Sequence, residues 1–332
     1  MAVKLILSKD ELEKAKVTTL HTLWSGYGAL DRLTLSDDSS VIVKRISPPK
    51  EVKHPRGWGG GLSHARKLKS YEVERYWYQH WSVQCDDRCR VPRCYEVGNH
   101  FFGEGRPSDL LVLEDLDAQG FYLRLAEADA SAVLPCVQWL AHFHARFLGA
   151  SPVGLWGKGT YWHLETRPDE WAAMPEGLLK DAAQAIDSTL HNAKYKTLVH
   201  GDAKLANFCV SESGTVAAVD FQYVGAGVGV QDLIYLIGSM SKGFPEEAVV
   251  EQLIDAYFDA LKSAMGAYHP HICSGEAADD IEIVDEIVKE WRQLLPLAWA
   301  DFERFLAGWM PTHHKRTDFS RRQTQLALEK IK

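Results

Sequence analysis

The feature that most limits what this chain can fold into is a change of periodicity near residue 116. Before that point short β-type runs alternate with turns. Leu33-Thr34-Leu35 leads into Ser36-Asp37-Asp38-Ser39, and Ser40-Val41-Ile42-Val43-Lys44-Arg45-Ile46 follows, the pattern of a hairpin. Residues 48–61 are too rich in Gly and Pro for anything but loop, and Ser63 to Trp81 reads as helix. The apolar strand Leu110-Leu111-Val112-Leu113 stops at Glu114-Asp115. Beyond it the spacing is helical. Asp129 or Ser131 can cap a helix carrying Val133, Val137, Leu140, Ala141, His144 and Leu148 on one face. Glu246 to Met265 is amphipathic, and Ile281 to Trp309 is helix with an interruption expected at Pro296. Strands repeat every two residues and helices every 3.6, so one pattern cannot serve both. The reading is an α+β chain with a sheet-rich lobe over residues 1–115 and a larger helical lobe over residues 116–332. At 332 residues and 46% hydrophobic, the chain has material for two cores.

Two short strand candidates interrupt the helical region. Thr197-Leu198-Val199 and Val216-Ala217-Ala218-Val219 each run straight into polar residues. The first gives His200-Gly201-Asp202-Ala203-Lys204-Leu205-Ala206-Asn207, and the second gives Asp220-Phe221-Gln222. Phosphoryl transfer from ATP needs little beyond positioning and neutralisation of charge. It calls for a carboxylate to take the proton of the attacking hydroxyl, hard oxygen ligands for magnesium, and a cation at the migrating group. Asp202 suits the base and Lys204 the cation. Asn207, five residues on in a tight loop, and Asp220 suit the metal ligands.

HGDAKLAN followed by DF resembles the catalytic loop and metal-binding aspartate of the protein-kinase-like superfamily. It is most similar to the aminoglycoside phosphotransferase and choline kinase branch, and within it to the ecdysteroid-kinase-like group, over about residues 26–232. The resemblance implies a two-lobed protein-kinase-like fold, with an N-terminal antiparallel sheet lobe and a mostly helical C-terminal lobe. It also implies ATP and Mg²⁺ as cofactors. For the N-terminal lobe it implies a glycine turn over the phosphates at Ser25, Gly26 and Gly28, a strand lysine at Lys44, and a helix glutamate holding that lysine. Glu72 is the choice for that glutamate, with Glu74 the alternative. Glu114 and Leu116, flanking Asp115, would be the hinge that meets the adenine edge. Asp232 would brace the catalytic loop from a following helix, and His200 would support it. His144 reads as a core residue.

Other readings fit less well. Gln222 stands where a protein kinase has Gly, and too few residues separate Asp220 from Asp232 for a peptide-binding activation segment. G-x-x-x-x-G-K-[ST] is missing, and Gly225-Ala226-Gly227-Val228-Gly229 lacks the βαβ context of a dinucleotide site. Cys85, Cys89 and Cys94 have no C-x-x-C pair to suggest zinc. A net charge of −8 points to no nucleic acid or anionic membrane partner. With no long apolar stretch, a cytoplasmic protein is expected. The expected activity is transfer of the ATP γ-phosphate to a hydroxyl of a small metabolite, sugar, steroid or amino alcohol. A nucleotide-binding pseudokinase is the alternative. In the branch resembled, acidic and aromatic groups receive cationic substrates, which makes Trp299, Asp301 and Trp309 candidates for the acceptor side. Asp279, Asp280, Glu282, Asp285 and Glu286 read as a solvated face.

Overall fold

The structure, a computed structural model, describes residues 14–23, 26–48, 60–100, 108–240, 244–270 and 278–331. Strands β1 (Lys16–Thr22), β2 (Gly28–Thr34), β3 (Ser40–Ile46), β4 (Cys94–His100) and β5 (Ser108–Glu114) form an antiparallel sheet in the order β1-β2-β3-β5-β4. The expected hairpin is β2–β3. Thr34 pairs with Ser40, and the Leu35 amide donates to the Ser39 carbonyl at 2.8 Å. Asp38 closes the turn in the left-handed region at φ 63°, which aspartate tolerates better than most residues. Alternation along β3 puts Val41 and Val43 in a small core with Leu33, Leu110 and Val112. Lys44 therefore points to the opposite face, toward helix α1 (Gly60–Tyr76), which continues through a π-helical turn, Trp77–Trp81.

The remainder is mostly helical: α2 (Ala130–Arg146), α3 (Ala183–His191), α4 (Val230–Ile237), α5 (Glu247–Tyr268), α6 (Ala278–Trp309) and α7 (Asp318–Ile331). Asp129 caps α2 by accepting the Ala132 amide at 2.9 Å. The interruption expected at Pro296 does not occur, because α6 runs unbroken through it. A proline there removes one helical hydrogen bond. Leu294, Leu297, Ala298 and Trp299 are all buried beside it, and their burial outweighs that loss.

Two small β elements sit among the helices. One is a sheet of β6 (Leu123–Arg124), β8 (Phe208–Val210) and β9 (Val216–Ala218). The other is an antiparallel pair, β7 (Thr197–Val199) with β10 (Gly225–Gly227). Trp77, Trp139, Phe143, Phe147 and Phe221 pack together in the main core beneath them, with Trp77 stacked on Phe221 at 4.6 Å. Among the described residues no helix is long and apolar enough to cross a membrane.

Candidate active site

The loop after β7 is held in place by a buried carboxylate. Asp232, in the first turn of α4, accepts the amides of His200 at 2.5 Å and Gly201 at 2.9 Å. His144 donates to the same carboxylate from Nε2 at 3.1 Å and accepts the Tyr257 hydroxyl at Nδ1, at 2.8 Å. Asp232 thus braces the loop through two backbone amides and does not act as a helix cap. Gly201 must be glycine, because at φ 80° a Cβ would lie 2.1 Å from the Tyr223 carbonyl oxygen. His200, fully buried, donates from Nε2 to the Val219 carbonyl at 3.0 Å and accepts the Asp202 amide at Nδ1, at 3.2 Å. One imidazole thereby ties the loop after β7 to the end of β9.

Asp202 emerges from this scaffold. Its Oδ2 accepts Lys204 Nζ at 2.8 Å and Asn207 Nδ2 at 3.1 Å. Asn207 also donates Nδ2 to the Asp202 carbonyl at 2.7 Å. Both amide hydrogens are thus turned inward, while its Oδ1 accepts no hydrogen bond from the described residues. After β9, Phe221 is anchored in the core, and Asp220 takes φ 70°, which turns its carboxylate the other way. Asp220 Oδ1 accepts Lys44 Nζ at 3.1 Å and Gln222 Nε2 at 2.6 Å. Its Oδ2 has no partner among the described residues. Burial alone would raise the Asp220 pKa, but Lys44, Lys204 and Lys67 around it hold the carboxyl well below its ordinary range.

Lys44 is 5% exposed and donates to both carboxylate oxygens of Glu74, at 2.9 and 2.7 Å. Burial works against its charge, yet Asp220 and Glu74 outweigh that and raise its pKa, so Lys44 stays protonated. Glu72, expected as its partner, instead lies on the solvated face of α1 within 3.5 Å of Lys69. The phase of α1 decides between them. Lys67, Tyr71, Glu74 and Tyr78 recur at helical spacing along one stripe and all line the same cavity, and Glu72 is off that stripe. That spacing was the signal for Glu74 in the sequence.

The cavity measures about 500 Å³ and runs between the sheet and the loops after β7 and β9. Leu30, Ile42, Leu113, Leu116, Cys209 and Val219 form apolar walls, and Lys44, Lys67, Lys204, Asn207 and Asp220 line it as well. Of the glycine turn, Ser25 lies outside the described residues. Gly26 takes φ 75° with open space beside it. Gly28 has a different constraint, since a Cβ there would lie 1.8 Å from the Arg45 carbonyl oxygen across the β2–β3 pair. Its need for glycine comes from a neighbouring strand. The Glu114 side chain is turned away to Arg90 at 2.5 Å and to the Arg93 amide at 3.0 Å. The Leu116 carbonyl accepts the amides of Gln119 and Phe121, and among the described residues the Leu116 N–H has no acceptor.

Two further residues contribute to the site. Gln222 bridges Asp220 to α1, accepting Lys67 Nζ at 2.7 Å and Ser70 Oγ at 3.2 Å. Lys67 lies over the Tyr71 ring at 4.7 Å, and burial lowers its pKa to about 8. On the other side of Asp202, Asp301 and Trp299 are buried and not available as expected, whereas Trp309 is half-buried. Asp301 is 2% exposed and bound to Arg304 at 2.8 Å and to Trp162 Nε1 at 3.0 Å. Trp299 is packed against Phe244 and Phe319, and Trp309 is stacked on Phe305. Asp285 and Glu286 pair with Lys262 and Lys194 on an exposed surface.

An apolar slot opening onto a lysine, a carboxylate and an amide suits a nucleotide and its phosphates, and comparison with known proteins agrees with that class. The model of the APH family, described as a phosphotransferase enzyme family, matches residues 22–271. Choline kinase from Cryptosporidium parvum aligns with TM-score 0.52 at 9% identity, covering 98% of this chain and 92% of that one. A thermostable mutant of aminoglycoside phosphotransferase APH(4)-Ia aligns with TM-score 0.50 at 11% identity, covering 97% of each chain. No curated protein matches the sequence. The chain belongs to the APH phosphotransferase enzyme family. It is an ATP-dependent phosphotransferase with a hydroxyl acceptor.

Proposed function

We propose that the chain is a small-molecule kinase in which Asp202 is the base and Lys44, Lys204, Asn207 and Asp220 handle the phosphates of ATP. Residues 1–115 would clasp the nucleotide and residues 116–332 would carry the catalytic loop and the acceptor. The observation that carries this reading is the meeting of Lys44, Asn207 and Asp220 on one cavity, with Asp202 hydrogen-bonded to Asn207 at its edge.

The residues present fit a divalent ion. Asn207 Oδ1 and Asp220 Oδ2 are two hard oxygens with no hydrogen-bond partner among the described residues, and Asp220 stays ionised. When bound between them and the phosphates, Mg²⁺ would supply neutralisation of developing charge. The chain's own groups do the rest. The apolar walls take the adenine, and the N–H of Leu116 is a donor for its edge. Lys44, fixed by Glu74, is a point charge for the non-transferred phosphates. Asp202 accepts the proton of the acceptor hydroxyl as that oxygen bonds the γ-phosphorus and the bond from phosphorus to the bridging oxygen breaks, leaving ADP. Lys204, on Asp202 in the free protein, is in reach of the oxygens that gain charge.

Asp202→Ala should lower kcat about 10²–10⁴-fold, the share of a general base, with ATP affinity little changed. Acceptor-dependent ADP release checks this. Equal turnover by both proteins would remove Asp202 from the chemistry, and equal inertness toward all acceptors would favour a binding protein without turnover.

A further inference from the structure

The side of Asp202 away from the nucleotide cavity is built of aromatic rings and cations. Tyr161, Tyr235, Phe302 and Phe305 pack edge to face there, with centroids 5.2–5.5 Å apart. The Lys315 ammonium lies 4.6 Å from the centroid of Tyr235 and 5.8 Å from that of Phe302. It is near enough for the charges of Asp202 and Lys204 to act on it. Arg167 lies over Tyr161 and Phe305 at 5.5 and 5.1 Å. Lys315 and the two tyrosines are absent from the walls of the nucleotide cavity, whereas Lys204 lines it. Lys204 thus marks the border, and Lys315 stands on the acceptor's side.

The carboxylates nearby are all engaged. Glu170 is bound to Arg167 at 3.1 Å, Asp301 to Arg304 at 2.8 Å and Glu303 to Arg316 at 2.8 Å, and none is more than 4% exposed. Lys315 differs, since among the described residues no carboxylate lies within ion-pair distance of its ammonium. Its backbone is nonetheless fixed. Arg316 ties the turn to the buried Glu303, and the Lys315 amide donates to His313 Nδ1 at 3.1 Å. Burial lowers the Lys315 pKa to about 8, so near neutral pH the group remains largely charged while short of a counter-charge. A cationic acceptor would meet Lys315 and Lys204 with no free carboxylate except the base itself.

Resting on the kinase reading above, we propose that the acceptor is a hydroxyl compound bearing an oxyanion, a carboxylate or a phosphate monoester, with the anion held by Lys315 and its carbon frame against the half-buried Tyr161. This is the opposite of the cationic acceptor that the sequence resemblance suggested. An ammonium resting on two ring faces is partly stabilised by them, and a bound oxyanion completes its neutralisation.

The test is ADP release at saturating ATP and Mg²⁺, using acceptors that share a skeleton and differ in charge. One set is glucose, glucosamine, glucuronate and glucose 6-phosphate. The other is 1,4-benzenedimethanol, 4-(aminomethyl)benzyl alcohol, 4-(hydroxymethyl)benzoate and the monophosphate of 1,4-benzenedimethanol. The expected result is that an anionic member has the highest kcat/KM, the carboxylate and phosphate arms showing which oxyanion fits. Lys315→Met should lower that value about 10–100-fold, the usual loss for a hydrogen bond to a charged group, while the neutral member changes much less. Lys315→Glu should move the preference toward the amine. A cationic compound preferred by the unaltered protein, or an equal effect of Lys315→Met on all members, overturns the proposal. So does failure of every anionic compound while nucleotide still binds with the divalent ion, a result that leaves the phosphotransferase reading standing. Loss of nucleotide binding itself would take both down.

Discussion

Glu72 and Glu74 are two residues apart on one helix, yet only Glu74 reaches Lys44. The helix turns by about 100° per residue, so a step of two moves a side chain to nearly the opposite face. Glu74 is 2% exposed and gives Lys44 two short contacts, whereas Glu72 is 67% exposed beside Lys69. Exposed pairs contribute about 0–1 kcal/mol, while removing the charge of Glu74 leaves buried Lys44 with Asp220 as its remaining counter-charge. Glu74→Gln should therefore lower stability by about 1–3 kcal/mol and raise the KM for ATP, because Lys44 loses its fixed position. Glu72→Gln should stay within about 0.5 kcal/mol with unchanged kinetics. Thermal melting and ATP titration of the two variants check this, and the reverse ranking would mean that α1 sits in another phase.

At the scale of elements, the β2–β3 hairpin and the start of β2 decide what the glycine turn can do. Gly28 faces the Arg45 carbonyl at a distance no Cβ tolerates, and its φ is 137°. Gly26 has positive φ but open surroundings. Gly28→Ala should cost more than about 2 kcal/mol, since the β2–β3 ladder must shift, and Gly26→Ala about 1–2 kcal/mol from backbone strain alone. Denaturant unfolding of both variants measures the difference, and equal costs would contradict the close approach. The same contrast shows what the sequence could and could not tell. HGDAKLAN and DFQ were legible as motifs: a short strand, a glycine at φ 80° and an anchored Phe221 are local, whereas the bracing of the loop by Asp232 and His144 comes from elsewhere in the chain. The hairpin was legible from alternation and its turn. The Lys44 partner was harder, since α1 carries charge on several faces and only the spacing of Lys67, Tyr71, Glu74 and Tyr78 marks the one that meets the sheet. Pro296 misled because a propensity rule was outweighed by the burial around α6. Asp301 misled although the cause is local: its i,i+3 neighbour Arg304 on α6 pairs with it at 2.8 Å, and Trp162 Nε1 takes its other oxygen.

For the molecule as a whole, the polar contacts that join the sheet to the helical lobe at the cavity are also the site. Lys44 on β3 reaches Asp220 after β9, and Lys67 on α1 reaches Gln222 two residues later. Apolar contacts join them as well, among them Trp77 stacked on Phe221. Binding of nucleotide phosphates would therefore act on the same residues that join the two lobes, which suits a cleft whose closing completes the catalytic set. The proposed acceptor side, with Lys315 on the turn between α6 and α7, would belong wholly to the helical lobe.

The proposed chemistry depends most on Asp220, with Asn207, holding a divalent ion at the phosphates of ATP. Calorimetric titration of ATP with and without Mg²⁺, into the unaltered protein and into Asp220→Ala, tests it directly. Affinity should be at least about tenfold higher with Mg²⁺ in the unaltered protein, a gain of about 1.4 kcal/mol, and Asp220→Ala should lose most of that gain while ion-free binding persists. An equal gain from Mg²⁺ in both proteins would contradict it.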